Sequence, residues 1–143
     1  MAYQIRRTRK FYDTLELCGE SGEVEKVLHI DVDIDAIATG LRSVLAKFEE
    51  AERALRTMQK SGNPQSFEST YYSYGKALVE LFEMCLGADN AAELLKFYEN
   101  RYTEMAVEVC PYIIEKIIPL AGEAIKRRKS ELKKSVKHRG GSR

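Results

Sequence analysis

The stretch Leu28-His29-Ile30-Asp31-Val32-Asp33-Ile34-Asp35-Ala36-Ile37-Ala38-Thr39-Gly40-Leu41 decides the fold, because the apolar period changes inside it. Leu28, Ile30 and Val32 alternate with polar residues, the spacing of a half-buried strand. From Ile34 onward the apolar positions are Ile37, Ala38, Leu41, Val44, Leu45, Phe48, Leu55 and Met58, the spacing of one helix face. Glu49, Glu50, Arg53 and Arg56 fall on the opposite face. Asp33, at the change of period, is placed to cap the helix start, and Gly62 with Pro64 stops it. Gly40 inside this helix costs propensity and marks an expected close crossing by another backbone.

Upstream, Phe11, Leu15 and Leu17 also alternate, and Gly19-Glu20-Ser21-Gly22 supplies turn chemistry, so residues 11–32 read as a β-hairpin. Two strands alone are marginal in water, so this ribbon must pack on helices or pair with another chain. Downstream, Ser61–Ser66 reads as a short linker. A second helix covers about 67–86, with Phe67, Tyr71, Tyr74, Leu78, Phe82 and Leu86 as its stripe and Gly87 as a left-handed cap. Asn90 with Glu93 has capping-box spacing and opens a third helix that ends near Asn100-Arg101. A fourth begins near Thr103 and meets Pro111, a kink or a fresh start, and Pro119 adds a second kink or break. The expected fold is mainly α: one helical domain of four or more helices with a small N-terminal β-hairpin. Leu41, Leu45, Phe48, Leu78, Phe82, Leu94 and Ile117 are its expected core.

Charge divides the chain. Residues 126–143 carry nine basic residues and one acidic residue, a net +8, which leaves −7 on 1–125. Beyond Ile125 only Leu132 and Val136 are apolar, so this helix must project into solvent or lie on a partner. The chain therefore reads as a flexible basic N-terminus over 1–10, a globular body over 11–125 and a basic C-terminal helix or tail over 126–143. Lys126, Arg127, Arg128, Lys129, Lys133, Lys134, Lys137 and Arg139 are the candidate partner-binding residues. A split of this kind points to a protein that works by contact.

Composition agrees with a globular chain: 44% apolar, 31% charged, no Trp. Arg6, Arg7, Arg9 and Lys10 are not followed by an apolar core, and no apolar run approaches the roughly 20 residues of a membrane span, so the expected location is the cytoplasm. Cys18, Cys85 and Cys110 lack paired spacing and read as small buried hydrophobes rather than a disulfide framework or zinc site. His29 and His138 have no ligand at metal spacing. Asp31, Asp33 and Asp35 resemble a cation cradle, but a strand exit followed by a helix cap explains them at lower cost. Tyr71, Tyr72 and Tyr74 with Lys76 suggest base stacking, yet Glu68, Glu80 and Glu83 on the same helix would repel phosphate. There is no phosphate loop, nucleophile elbow or metalloprotease motif, so no catalytic residue, cofactor or metal is expected. The tail carries no aromatic anchor for a membrane surface.

From Gly87 onward the order of parts resembles a known family. Gly87-Ala88-Asp89-Asn90, the helix Ala91–Asn100, Tyr102-Thr103-Glu104-Met105, Pro111-Tyr112-Ile113 and a basic terminus such as Arg127-Arg128-Lys129 are similar to tail assembly chaperones of long-tailed phages that infect Gram-positive bacteria. The resemblance covers roughly residues 14–135. It implies a non-enzymatic, largely helical protein of the bacterial host cytoplasm. Such a protein coats the phage tape measure protein during tail morphogenesis and self-associates into a homo-oligomer. Two alternatives use the same features: a structural virion or connector component, and a small nucleic-acid-binding protein acting through the basic tail. The acidic body argues against a broad nucleic-acid footprint.

Overall fold

A computed structural model describes residues 2–4 and 10–140; the side chains of residue 131 and residues 134–140 lie outside that description. The fold is mainly α with a small N-terminal hairpin, as the change of period predicts. Strands β1 (Lys10–Cys18) and β2 (Val24–Asp33) pair antiparallel, with Leu15 opposite Leu28 and Phe11 opposite Val32, and with a bulge at Leu17/Cys18. The turn closes through the Gly19 N–H to the Glu23 carbonyl at 2.9 Å, with Gly22 at φ +88°. One face of the ribbon, with Leu17, Leu28, Ile30 and Val32 buried, covers the helices.

Two polar residues interrupt that inner face, and each has a partner. Asp13 faces Ile30 across the ladder, and its Oδ2 accepts a 2.6 Å hydrogen bond from the Tyr112 hydroxyl. Lys26, opposite Leu17, pairs with Glu93. Asn90 adds a third tie by donating to the His29 carbonyl at 2.9 Å. Sheet and helices are thus fastened at both ends of the ribbon, which answers the instability of two strands on their own.

Helix α1 (Ile34–Ser61) begins where expected. The Asp33 carboxylate accepts from the N–H groups of Asp35 and Ala36, and Gly62 at φ +72° donates to the Met58 carbonyl. Helix α2 (Pro64–Leu86) starts earlier than the sequence suggests. Asn63 caps it and Pro64 occupies its first position, so the linker shrinks to Gly62-Asn63. Gly87, at φ +96° and ψ 150°, is not left-handed helical but an extended corner into α3 (Ala88–Phe97). The expected capping box is not formed: Asn90 and Glu93 serve the hairpin instead, an outcome that only tertiary packing sets. Glu99 and Asn100, at φ +53° and +60°, end α3, and the Asn100 N–H donates to the Leu95 carbonyl.

Neither proline breaks the C-terminal helix. Helix α4 (Tyr102–Tyr112) contains Pro111, passes through a π-helical turn (Ile113–Ile117), and continues as α5 (Ile118–Gly140). The spacing of the buried residues explains the π turn. Met105, Val109, Ile113, Ile117 and Ala121 recur every fourth residue. In an unbroken α-helix that spacing would drift about 160° around the axis. One wide turn, in which the Ile118 N–H reaches back to the Ile113 carbonyl, returns most of the drift and keeps the stripe on the core.

One apolar cluster draws on the hairpin and every helix, with Leu78, Phe82, Cys85, Leu94, Met105 and Ile117 fully enclosed. Of the expected core, Leu41, Phe48, Leu78, Phe82, Leu94 and Ile117 are buried. Leu45 is only half-buried, because it flanks the Leu41–Val44–Phe48 row that faces α2. Gly40 is approached by the Met84 side chain, not by a crossing backbone. The close approach is at Gly75, against the Tyr102 ring.

Candidate partner-binding surfaces

Among the described residues, Ala121 and Ala124 are the last buried positions of α5; Ile125 and the side chains from Lys126 to Ser130 are exposed, as are Leu132 (65%) and Lys133. Two of the candidate cations turn back toward the body. Arg128 donates to the Thr39 hydroxyl at 3.2 Å and to the Asp35 carbonyl at 3.3 Å, in the first turns of α1. Arg127 lines a cavity of about 310 Å³ with Lys10, Phe11, Asp35, Leu120 and Glu123. Lys126, Lys129 and Lys133 share one helix face by their i, i+3, i+7 spacing. Lys134, Lys137 and Arg139 are on α5, but their side chains lie outside the described residues, as do Arg6, Arg7 and Arg9.

A second surface was not legible in the sequence. The buried stripe of α4 leaves Val107 (69% exposed) and Ile114 (59%) on the outside. With Ala106 and Cys110 they face the second half of α1, where Phe48 and Leu55, with the buried Tyr74 of α2, complete a groove of about 370 Å³. Its rim is polar: Arg56 pairs with Glu52 at 2.7 Å, beside Gln59. Burial pushes the Tyr74 phenol up to about 12 and the Cys110 thiol up to about 11. The floor of the groove therefore carries neither phenolate nor thiolate at ordinary pH. The fully enclosed Cys85 is likewise pushed up to about 12. Cys18, by contrast, is exposed and Cys110 only half-buried, which corrects the expectation that all three cysteines are buried; Cys18 sits on the outward face beside the bulge.

A third surface is acidic. Glu20 and Glu23 of the hairpin turn and Glu25 at the start of β2 meet Glu99 of the α3–α4 corner and Glu104 and Glu108 of α4 around an open groove of about 710 Å³. Among the described residues Arg101 is the single basic residue in its lining, and it already pairs with Glu99 at 3.5 Å and Glu104 at 3.7 Å. Phe97 and Tyr98, edge to face at 5.0 Å, give it an apolar patch. Burial, then the Glu108 and Glu104 carboxylates, raise the Tyr98 phenol above its ordinary value. These glutamates come from distant parts of the sequence, so no local pattern foretold their convergence.

The remaining sequence candidates resolve into structure. Asp33 caps α1, and Asp31 pairs with Lys10 at 3.4 Å. Among the described residues no group of three or more His, Cys, Asp or Glu could hold a metal ion. Tyr71 and Tyr74 turn inward into a ring cluster with Phe48, Phe67 and Tyr102, while Tyr72 is exposed beneath Lys76. The Tyr71 hydroxyl accepts from the Tyr102 N–H at 3.2 Å and so locks α2 to the start of α4. No helix among the described residues is long and apolar enough to cross a membrane. No protein-family description, curated protein or solved structure matches this chain.

Proposed function

We propose that the chain is a non-enzymatic assembly chaperone of the phage-tail type, which shields an apolar helical client, the tape measure protein, in the bacterial host cytoplasm. The observation that carries this reading is the groove between α1 and α4. Val107 and Ile114, two large apolar side chains, stand in solvent beside a neutral floor with a charged rim. An amphipathic helix buries its anchors in such a groove, while rim charges set its orientation. The resemblance read from the sequence supplies the identity of the client, and the same reading includes self-association of the chaperone. Coexpression with a phage tape measure protein tests it. The client is expected to stay soluble and to co-purify. The double variant Val107→Asp, Ile114→Asp is expected to lose co-purification at unchanged melting temperature, since both side chains are exposed. A client that precipitates with the parent protein, or that co-purifies equally with the variant, refutes the reading.

A further inference from the structure

The lysine face of the tail and the glutamate corner lie at opposite ends of one helix. Helix α4, the π turn and α5 run without interruption from Tyr102 to Gly140. Glu108 therefore precedes Lys126 by about 27 Å along the axis. An unbroken helix does not fold back on itself, so the tail is out of reach of its own chain's corner.

We propose that the exposed Lys126–Lys133 face of α5 docks into the corner between the hairpin turn and the α3–α4 junction of a second copy, joining chains head to tail. Three observations carry this. The tail face is unpartnered: Lys126, Lys129, Leu132 and Lys133 are exposed, and none of the ion pairs among the described residues engages these lysines. The corner is its electrostatic complement, with six glutamates against one arginine that is already committed to two of them. The apolar parts also correspond. Leu132 follows Lys129 by three residues, the spacing of neighbours on a helix surface, and the half-buried Phe97 and Tyr98 offer it a surface. Charge sets register and encounter rate, and the apolar contact adds affinity. Because the two surfaces differ, the contact is heterologous and repeats from copy to copy, closing into a ring or growing as a filament. It uses neither Val107 nor Ile114, so it stands apart from the client groove.

Charge reversal with exchange tests this on the full chain. One variant carries Lys126→Glu, Lys129→Glu and Lys133→Glu, and the other carries Glu25→Lys, Glu104→Lys and Glu108→Lys. All six positions are exposed, and circular dichroism verifies that both variants fold. By sedimentation the parent protein is expected to associate at about 50 mM salt and to weaken about tenfold or more by about 300 mM. Each variant alone is expected to be monomeric, and their equimolar mixture to regain the parent's assembly, since each reversed tail then meets a reversed corner. The Val107→Asp, Ile114→Asp variant is expected to assemble like the parent, which separates this inference from the client reading. A parent that stays monomeric at low salt overturns the proposal. So do variants that assemble alone, a mixture that stays monomeric, or a tail that retards unrelated DNA without any self-association.

Discussion

Gly40 and Gly75 both lie within long helices, and replacing each with Ala should move stability in opposite directions. Ala is favoured over Gly in a helix interior by about 1 kcal/mol. At Gly40 an added Cβ would come 2.6 Å from Met84 Cε, the free end of a flexible side chain that can swing aside. Most of the propensity gain survives there, and Gly40→Ala should stabilise by about 0.5–1 kcal/mol. At Gly75 the Cβ would come 2.2 Å from the Tyr102 ring. That ring packs on Tyr71, and its backbone N–H is held by the Tyr71 hydroxyl, so it cannot withdraw without moving the start of α4. Overpacking of this kind costs about 1–3 kcal/mol, which leaves Gly75→Ala a net loss of up to about 2 kcal/mol after the propensity gain. The two variants share the propensity term, so their difference isolates the clash. Urea unfolding of both proteins, with slopes compared to verify two-state behaviour, measures it. Adding Tyr102→Ala to Gly75→Ala should recover the clash as a favourable coupling. Equal shifts at the two glycines would refute the reasoning.

Phe82→Ala should cost about 3–5 kcal/mol by chemical denaturation, because the ring is fully enclosed, while the half-buried Leu45 should lose clearly less on truncation. The Tyr112 hydrogen bond, then the Thr14 N–H and the charge of Lys116, hold the Asp13 carboxyl below its ordinary 3.8. Its contribution to stability is thus present above that value and lost as pH falls through the lower folded-state value; Asp13→Asn should remove this acid-side loss in melting curves recorded from about pH 5 downward. Deleting residues 126–143 should lower stability by no more than about 1–2 kcal/mol, since among the described residues the segment's hydrogen bonds to the body are the two exposed ones of Arg128 and Leu132 is exposed. A deletion that unfolds the protein would show the tail to be part of the core.

The sequence by itself determined the hairpin, the cap at Asp33, the extent of α1 and most of the core. These depend on local period and on residues that act within one or two turns of themselves, such as Asp33 on Asp35 and Ala36. Apolar residues become sparse after Ile125, and among the described residues the last buried position of α5 is Ala124. Only the tertiary structure decided the roles of Asn90 and Glu93, whose capping pattern gave way to bonds with His29 and Lys26 more than sixty residues away. It decided the course of the C-terminal helix as well. Two prolines argued for kinks or breaks, yet burial of every fourth residue against one core favoured a continuous helix with a π turn. Both exposed grooves are likewise products of packing. Val107 and Ile114 fall outside the stripe that the π turn keeps inward, and the six glutamates meet because the hairpin turn packs beside the α3–α4 corner. Local chemistry is written in neighbouring residues, whereas a surface is assembled from residues that only the packed chain brings together.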